Sequence, residues 1–162
     1  GLQIIGDYGL NIINSPAARQ AAELGCGAIT LSFECERGAA KNIASPVPLG
    51  VIAYGHLPLM LLRNCPGKTA AGCGDCTGIN RITDRRGEDF PLQCERRRYT
   101  HLLNPRPLLL CDRLPEWDFC DFLTLRFTVE SPAECDEVLK MYRTGAAPAG
   151  QFTRGLYYRT LK

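Results

Sequence analysis

The chain has 162 residues, of which 45% are hydrophobic and 22% are charged, and 19 basic against 17 acidic residues give a formal net charge of +2. This composition excludes a disordered chain, and the balanced charge excludes the overall positive potential of a strongly basic nucleic-acid-binding domain. The most apolar stretch, residues 48–62, contains His56 and two glycines. It is too short to span a bilayer, so no membrane association is expected.

The first third of the chain predicts strands that alternate with helices. Residues 3–13 are rich in β-branched side chains, which favours a strand. Ser15 and Pro16 are typical of a helix start, with Ser15 as the N-cap of a helix over residues 17–24. The other predictions here are strands over residues 28–33 and 49–54 and a short helix over 36–44.

The middle of the chain, residues 58–104, consists of turns, cysteines and charged side chains. Within it, Asp84-Arg85-Arg86-Gly87 predicts the tip of a hairpin. Regular elements are predicted again afterwards. They are an apolar run at residues 107–110, a short helix near 112–117, a strand over 122–128 and a helix capped by Ser131-Pro132 with Glu134 at its third position.

Alternation of strands and helices implies parallel strands joined by right-handed crossovers. Four such units amount to half of a (β/α)8 barrel, which needs about 250 residues. We therefore predict an α/β fold, a half β/α barrel with parallel strands and a cysteine-rich metal-binding insertion. The half barrel would occupy residues 1–150, with the insertion at about 58–104, and residues 151–162 would form a C-terminal tail.

Four cysteines have the spacing of a metal site. Cys73 and Cys76 form a C-x2-C pair, Cys65 precedes it, and Cys94 follows Cys76 after 17 residues, a separation found in zinc ribbons. We predict that these four thiolates bind zinc, with a [4Fe–4S] cluster as the alternative. A redox pair at Cys73 and Cys76, or four unrelated free thiols, are the other interpretations.

The remaining cysteines lie singly among apolar residues, where a thiol behaves as a small hydrophobic side chain. They are Cys26, Cys35, Cys111, Cys120 and Cys135. Nine is an odd number, and no leading apolar segment resembles a signal peptide. Both observations favour a reducing compartment, so we predict a cytoplasmic location.

Several short segments of the sequence match those of a known family in order and spacing. They are Gly-Asp-Tyr-Gly-Leu-Asn at residues 6–11, Ala-Ile-Thr-Leu-Ser-Phe-Glu at 28–34, Tyr-Gly-His-Leu-Pro-Leu-Met at 54–60, Asn-Cys-Pro at 64–66, Asp-Arg-Arg-Gly at 84–87, and Phe-Thr-Arg-Gly at 152–155. Together they resemble the U32 collagenase-like peptidases over nearly the whole chain. The resemblance implies the later half of that family's barrel domain, cut from a longer protein that supplies the missing half.

The resemblance also implies a function. Some relatives are described as collagen-degrading proteases, which makes the chain nominally part of a peptidase that acts on a protein or peptide substrate. Others hydroxylate tRNA, ribosomal RNA or a ubiquinone precursor without oxygen, using cysteine-bound iron-sulfur clusters. For that alternative, Arg96, Arg97 and Arg98 would hold RNA. A third hypothesis is a metal-stabilised interaction module without catalysis.

Catalytic candidates come from the positions where predicted strands end, since parallel barrels place reactive groups there. Those positions hold Asn14, Ser32, Glu34, Tyr54, His56, Arg126 and Glu130. Ser32, His56 and Glu34 are the candidates for peptide hydrolysis, although neither G-x-S-x-G nor H-E-x-x-H occurs. His56 equally suits a structural role. Because the rest of the barrel would be missing, we expect the isolated chain to be inactive and to form a homodimer, or failing that to fold its tail at residues 151–162 over the exposed strand edge.

Overall fold

The computed structural model describes residues 1–68, 72–73 and 76–159. Its strands are β1 (Ile4–Gly6), β2 (Cys26–Thr30), β3 (Leu49–Gly55), β4 (Pro58–Leu62), β5 (Ile79–Thr83), β6 (Asp89–Glu95), β7 (Tyr99–Leu103), β8 (Leu108–Leu109) and β9 (Phe122–Leu125). Its α-helices are α1 (Ser15–Glu23), α2 (Arg37–Ala40) and α3 (Pro132–Thr144), with short 3₁₀ helices at Tyr8–Leu10 and Leu114–Trp117.

The first sheet contains β1, β2, β3, β8 and β9. β1 pairs with β2, and β3 pairs with both β2 and β9, all in parallel, whereas β8 is antiparallel to β3. Phe122 of β9 lies against Gly50 of β3, where a Cβ would collide with its ring. Glycine at position 50 thus permits this close approach of the two strands.

The second sheet is antiparallel, with strand order β4-β7-β6-β5. The predicted hairpin tip is confirmed, because β5 and β6 pair directly across it. Gly87 has φ +81°, which glycine adopts readily. Its N–H donates to Asp84 O at 3.1 Å, while Asp84 Oδ1 accepts from the N–H groups of Arg86 and Glu88.

The predicted fold class is wrong. The chain is mixed α/β with one mixed sheet and one antiparallel sheet, and its described residues form neither a closed barrel nor a clear parallel β/α barrel. After β3 the chain does not cross over through a helix to the next parallel strand. It instead builds the second sheet and returns as β8, which runs opposite to β3. The segment predicted as turns therefore contains four strands, β4, β5, β6 and β7.

The core lies around the first sheet. α1 buries Ala18 and Ala21 against it, and its N-cap is Asn14 rather than the predicted Ser15, because Asn14 Oδ1 accepts from Ala17 N–H. The Ser131 cap of α3 is confirmed by a capping box with Glu134 and a left-handed Gly145 at the other end.

Side chains from the last part of the chain also reach β3. Tyr157 is buried against Trp117 and donates its hydroxyl to Ile52 O at 2.9 Å. Tyr142 on α3 donates to Ala53 O and accepts from Leu110 N–H, so it joins β3 to the segment after β8. No helix in the described part of the chain is long and apolar enough to cross a membrane.

Candidate functional site

The four cysteines of the predicted metal site lie near the start of β5. Cys76 N–H donates to Cys73 O at 3.1 Å, so the C-x2-C pair forms a turn. Gly78 N–H then donates to Cys76 Sγ at 3.4 Å. Backbone N–H groups directed at a cysteine sulfur are the interactions that support a thiolate ligand.

Gly78 also joins the pair to Cys94. Its carbonyl accepts the Cys94 N–H at 2.7 Å, and its φ of +92° is one that glycine adopts readily. One residue therefore contacts Cys76 and the strand that carries Cys94.

Cys65 approaches the same region from β4. Lys68 N–H donates to Cys65 O at 3.1 Å, which closes a second turn. A Cβ at Gly67 would collide with Asn80 Nδ2 and would lie 3.7 Å from Cys65 Sγ. The Cys65 turn thus packs beside Asn80, the second residue of β5.

The backbone contacts gather the cysteine turns, but all nine cysteines of the chain are free thiols. Among the described residues, no three His, Cys, Asp or Glu side chains form a group that could hold a metal ion. Residues 69–71 and 74–75 of the same segment lie outside the described residues. The four-thiolate metal site therefore stays a prediction.

The isolated cysteines behave as core residues where they are buried. Cys35 and Cys111 lie in the core, and burial raises the pKa of each thiol. Burial likewise raises the pKa of Cys120 to about 12. Such thiols stay protonated at neutral pH, which makes them poor nucleophiles and poor metal ligands.

Ser32, Glu34 and His56 do not form a connected set. Ser32 is buried, and its Oγ accepts the Glu34 N–H at 3.2 Å. The Glu34 side chain is exposed and lines a cleft of about 330 Å³ with Leu57 and Arg159. Among the described residues, no hydrogen bond or ion pair joins Ser32 or Glu34 to His56, so a serine-histidine-glutamate triad is not assembled.

His56 lies in a different cleft, at the carboxyl ends of β3 and β9. Its Nδ1 is 2.6 Å from Asn104 O, and its Nε2 is 3.9 Å from Glu130 Oε1. We call this the Glu130 cleft. It has a volume of about 470 Å³ and is lined by Tyr54, His56, Glu130, Val129, Pro107 and residues of α3.

Glu130 lies on the floor of the cleft, with only 4% of its side chain exposed. Its Oε2 accepts the N–H groups of Thr128 and Val129 at 2.6 and 3.0 Å, which fixes the carboxylate. Within the described residues, its Oε1 is buried and accepts no hydrogen bond. Burial raises the pKa of Tyr54, and the charge and close approach of the Glu130 carboxylate raise it further.

Helix α3 supplies the side of the cleft that the sequence did not predict. Glu134, Glu137, Val138 and Met141 face it from successive turns. Hydrogen bonds from the backbone and side chain of Ser131 lower the pKa of Glu134. The capping-box pattern located the start of α3, but no pattern indicated that the helix lies over His56.

A basic patch lies at the turn between β6 and β7, at the opposite end of β7 from Asn104. The turn between β6 and β7 holds Arg96 and Arg97 at φ +49° and +60°, and all three consecutive arginines are exposed. Arg98 lines a cleft of about 510 Å³ with Leu61, Arg63 and Tyr99. This patch, Arg63 and Arg96 to Tyr99, combines positive charge with an aromatic ring.

Comparison of the chain with protein-family models, with curated proteins and with solved structures finds no match in any of the three.

Proposed function

We propose that this chain is a zinc-binding part of a U32-type peptidase, with Cys65, Cys73, Cys76 and Cys94 as the metal ligands. The observation that carries the proposal is the position of Gly78, which donates to Cys76 Sγ and accepts from the Cys94 backbone. The donor set suits the metal, since four thiolates with this spacing favour a tetrahedral structural site.

The metal would hold the end of the second sheet. Bound zinc would act as a structural cross-link rather than as a catalyst, because a four-thiolate site leaves no open position for substrate. The cysteines come from the turn after β4, the segment before β5, and β6. Their joint ligation would link these three segments of the chain. A [4Fe–4S] cluster on the same thiolates is the alternative.

Metal analysis and a visible spectrum of protein purified without oxygen test this proposal. We expect about one zinc per chain and no charge-transfer band, whereas brown protein with iron and sulfide would indicate the cluster. Cys94→Ser should lose the metal and lower the melting temperature, because binding free energy is also folding free energy. Cys135→Ser is the matched control and should retain metal. Full occupancy in Cys94→Ser would reject this ligand set.

Peptide hydrolysis is the activity proposed for the larger protein. It is supported by the resemblance to the U32 family and by the Glu130 cleft, where a histidine, a carboxylate and a tyrosine meet. We expect the isolated chain to leave gelatin intact, since Ser32 is buried and not joined to His56. Cleavage by pure protein that His56→Ala abolishes would show that this chain holds a complete active site.

RNA modification is the second candidate, and the basic patch favours it. Exposed arginines beside Tyr99 suit a single strand, because phosphates bind cations and bases stack on rings. Binding of a short single-stranded RNA should weaken as salt rises and fall in Arg97→Ala. Arg113→Ala, on the first-sheet side of the molecule, is the control. Retained metal without cleavage or RNA binding would instead favour the non-catalytic interaction module.

A further inference from the structure

We infer that the Glu130 cleft binds a primary ammonium group carried on an aliphatic stem, such as a lysine side chain. The first observation is the buried Oε1 of Glu130, which accepts no hydrogen bond within the described residues. A carboxylate oxygen removed from water is costly without a donor. A ligand that brings N–H groups to this oxygen would therefore bind favourably.

His56 adds a second acceptor at the same place. Nδ1 lies 2.6 Å from the carbonyl of Asn104, so Nδ1 carries the hydrogen, and the neutral ring presents Nε2 as an acceptor. Nε2 and Glu130 Oε1 are 3.9 Å apart, too far for a direct hydrogen bond. A nitrogen at about 2.9 Å from each acceptor fits between them.

The charge of the cleft favours a cation. Three carboxylates line it, Glu130, Glu134 and Glu137, and its lining includes neither lysine nor arginine. Coulombic attraction between charges a few Å apart is strongest where one of them is buried, as Glu130 is. An ammonium group also has three donors, enough for both acceptors and one carboxylate of α3.

The apolar walls of the Glu130 cleft indicate what kind of group carries the ammonium of the ligand. Val129, Ala133, Val138, Met141 and Pro107 line the cleft around its polar floor. An aliphatic stem would contact these side chains while its end reaches Glu130. A divalent metal ion needs at least three ligands that converge on one point, and among the described residues the histidine and carboxylates of the cleft do not form such a group.

The two methionines of the chain give a direct test, because Met141 lines the cleft and Met60 lies exposed on β4. In protein labelled at its methionine methyl groups, n-pentylammonium should shift the Met141 resonance and leave Met60 unchanged. The neutral analogue 1-pentanol should bind at least about tenfold more weakly. Equal shifts by the two probes would overturn the inference, and this comparison needs no variant.

Glu130→Gln should remove the preference for the ammonium while keeping an oxygen for Thr128 and Val129. Asp136→Asn, an exposed carboxylate on the same helix outside the cleft lining, is the control and should bind as the wild type does. Titration with zinc in the wild type is the competing arm. A Met141 shift produced by zinc but not by pentylammonium would assign the cleft to a metal.

The choice of lysine rests on the proposed peptide substrate, whereas amine binding does not. Nα-acetyl-lysine amide should therefore shift Met141 and Nα-acetyl-norleucine amide should not. Binding of pentylammonium without binding of the lysine derivative would keep the amine site and reject a peptide as its ligand. Failure of both amines would reject the site whatever the gelatin assay shows.

Discussion

Arg154 joins the last described residues to the first sheet through contacts that no local sequence pattern indicates. Its Nη1 and Nη2 donate to Asp112 Oδ1 and Oδ2 at 2.6 and 2.7 Å, and Nη1 also donates to Leu109 O. The guanidinium lies 4.5 Å from the centroid of the Phe152 ring. Only a planar, forked cation makes all of these contacts together.

Arg154→Lys should lower the free energy of unfolding by about 1–3 kcal/mol, because an ammonium cannot replace the paired hydrogen bonds to Asp112. Urea unfolding followed by the fluorescence of Trp117 measures the change. Arg113→Lys is the matched control, since Arg113 is half exposed and its ion pairs with Asp112 and Glu116 lie at the surface. Equal losses in the two variants would refute a special role for Arg154.

The same pair predicts a pH dependence. Hydrogen bonds from Arg154 lower the pKa of Asp112 in the folded chain. Its stabilising contribution is therefore complete above the unfolded pKa of about 3.9 and is lost as the pH falls through the folded pKa. Asp112→Asn should cost stability near neutral pH and progressively less in acid. A constant difference in unfolding free energy across this range would contradict the assignment.

At the scale of elements, the sequence predicted those that local chemistry defines. The capping box of α3 and the turn at residues 84–87 are each specified within five residues, and both are confirmed. Strands β4 and β5 of the second sheet are not marked in the sequence, because they are exposed along most of their length. Without a buried face they lack the alternation that marks a strand.

Contact between β3 and β9 depends on Gly50, where the Phe122 ring occupies the space of a side chain. Gly50→Ala should destabilise the fold by about 1–3 kcal/mol through overpacking. Phe122→Leu should recover part of that loss in the double variant, and thermal unfolding of the four proteins measures the coupling. Gly27→Ala meets only ordinary contacts with Gln3 and should be nearly neutral. Additive losses at positions 50 and 122 would reject the steric explanation.

At the scale of the whole molecule, correct strands led to a wrong fold class. β1, β2, β3 and β9 exist and pair in parallel, but the direction of β8 and the pairing of residues 58–103 depend on long-range contacts. The placement of the candidate catalytic residues was likewise predictable only where short-range patterns determine it. Tyr54, His56 and Glu130 were predicted as strand-end residues and do meet in one cleft. The separation of Ser32 from His56 depends on loop paths that the sequence does not reveal.

The outer edge of β1 leads to the last prediction, that the chain self-associates as a homodimer. β1 pairs only with β2 among the described strands, and its side chains Ile4 and Ile5 are 55% and 59% exposed. Leu2, Leu10, Ile13 and Leu24 add exposed apolar surface in the neighbouring segments of sequence. An unpaired strand edge with apolar side chains favours pairing with another chain.

The last described residues do not provide an alternative cover for β1, because Thr153 bridges to Leu108 and Tyr157 is in the core. Light scattering over a dilution series should show a dimer that Ile5→Lys converts to monomer, since a charge at the edge opposes pairing. Leu61→Lys, which is 61% exposed on the edge strand β4 of the second sheet, should leave the dimer intact. A monomer at every concentration would exclude the dimer, and dissociation by Leu61→Lys alone would place the interface on the second sheet instead.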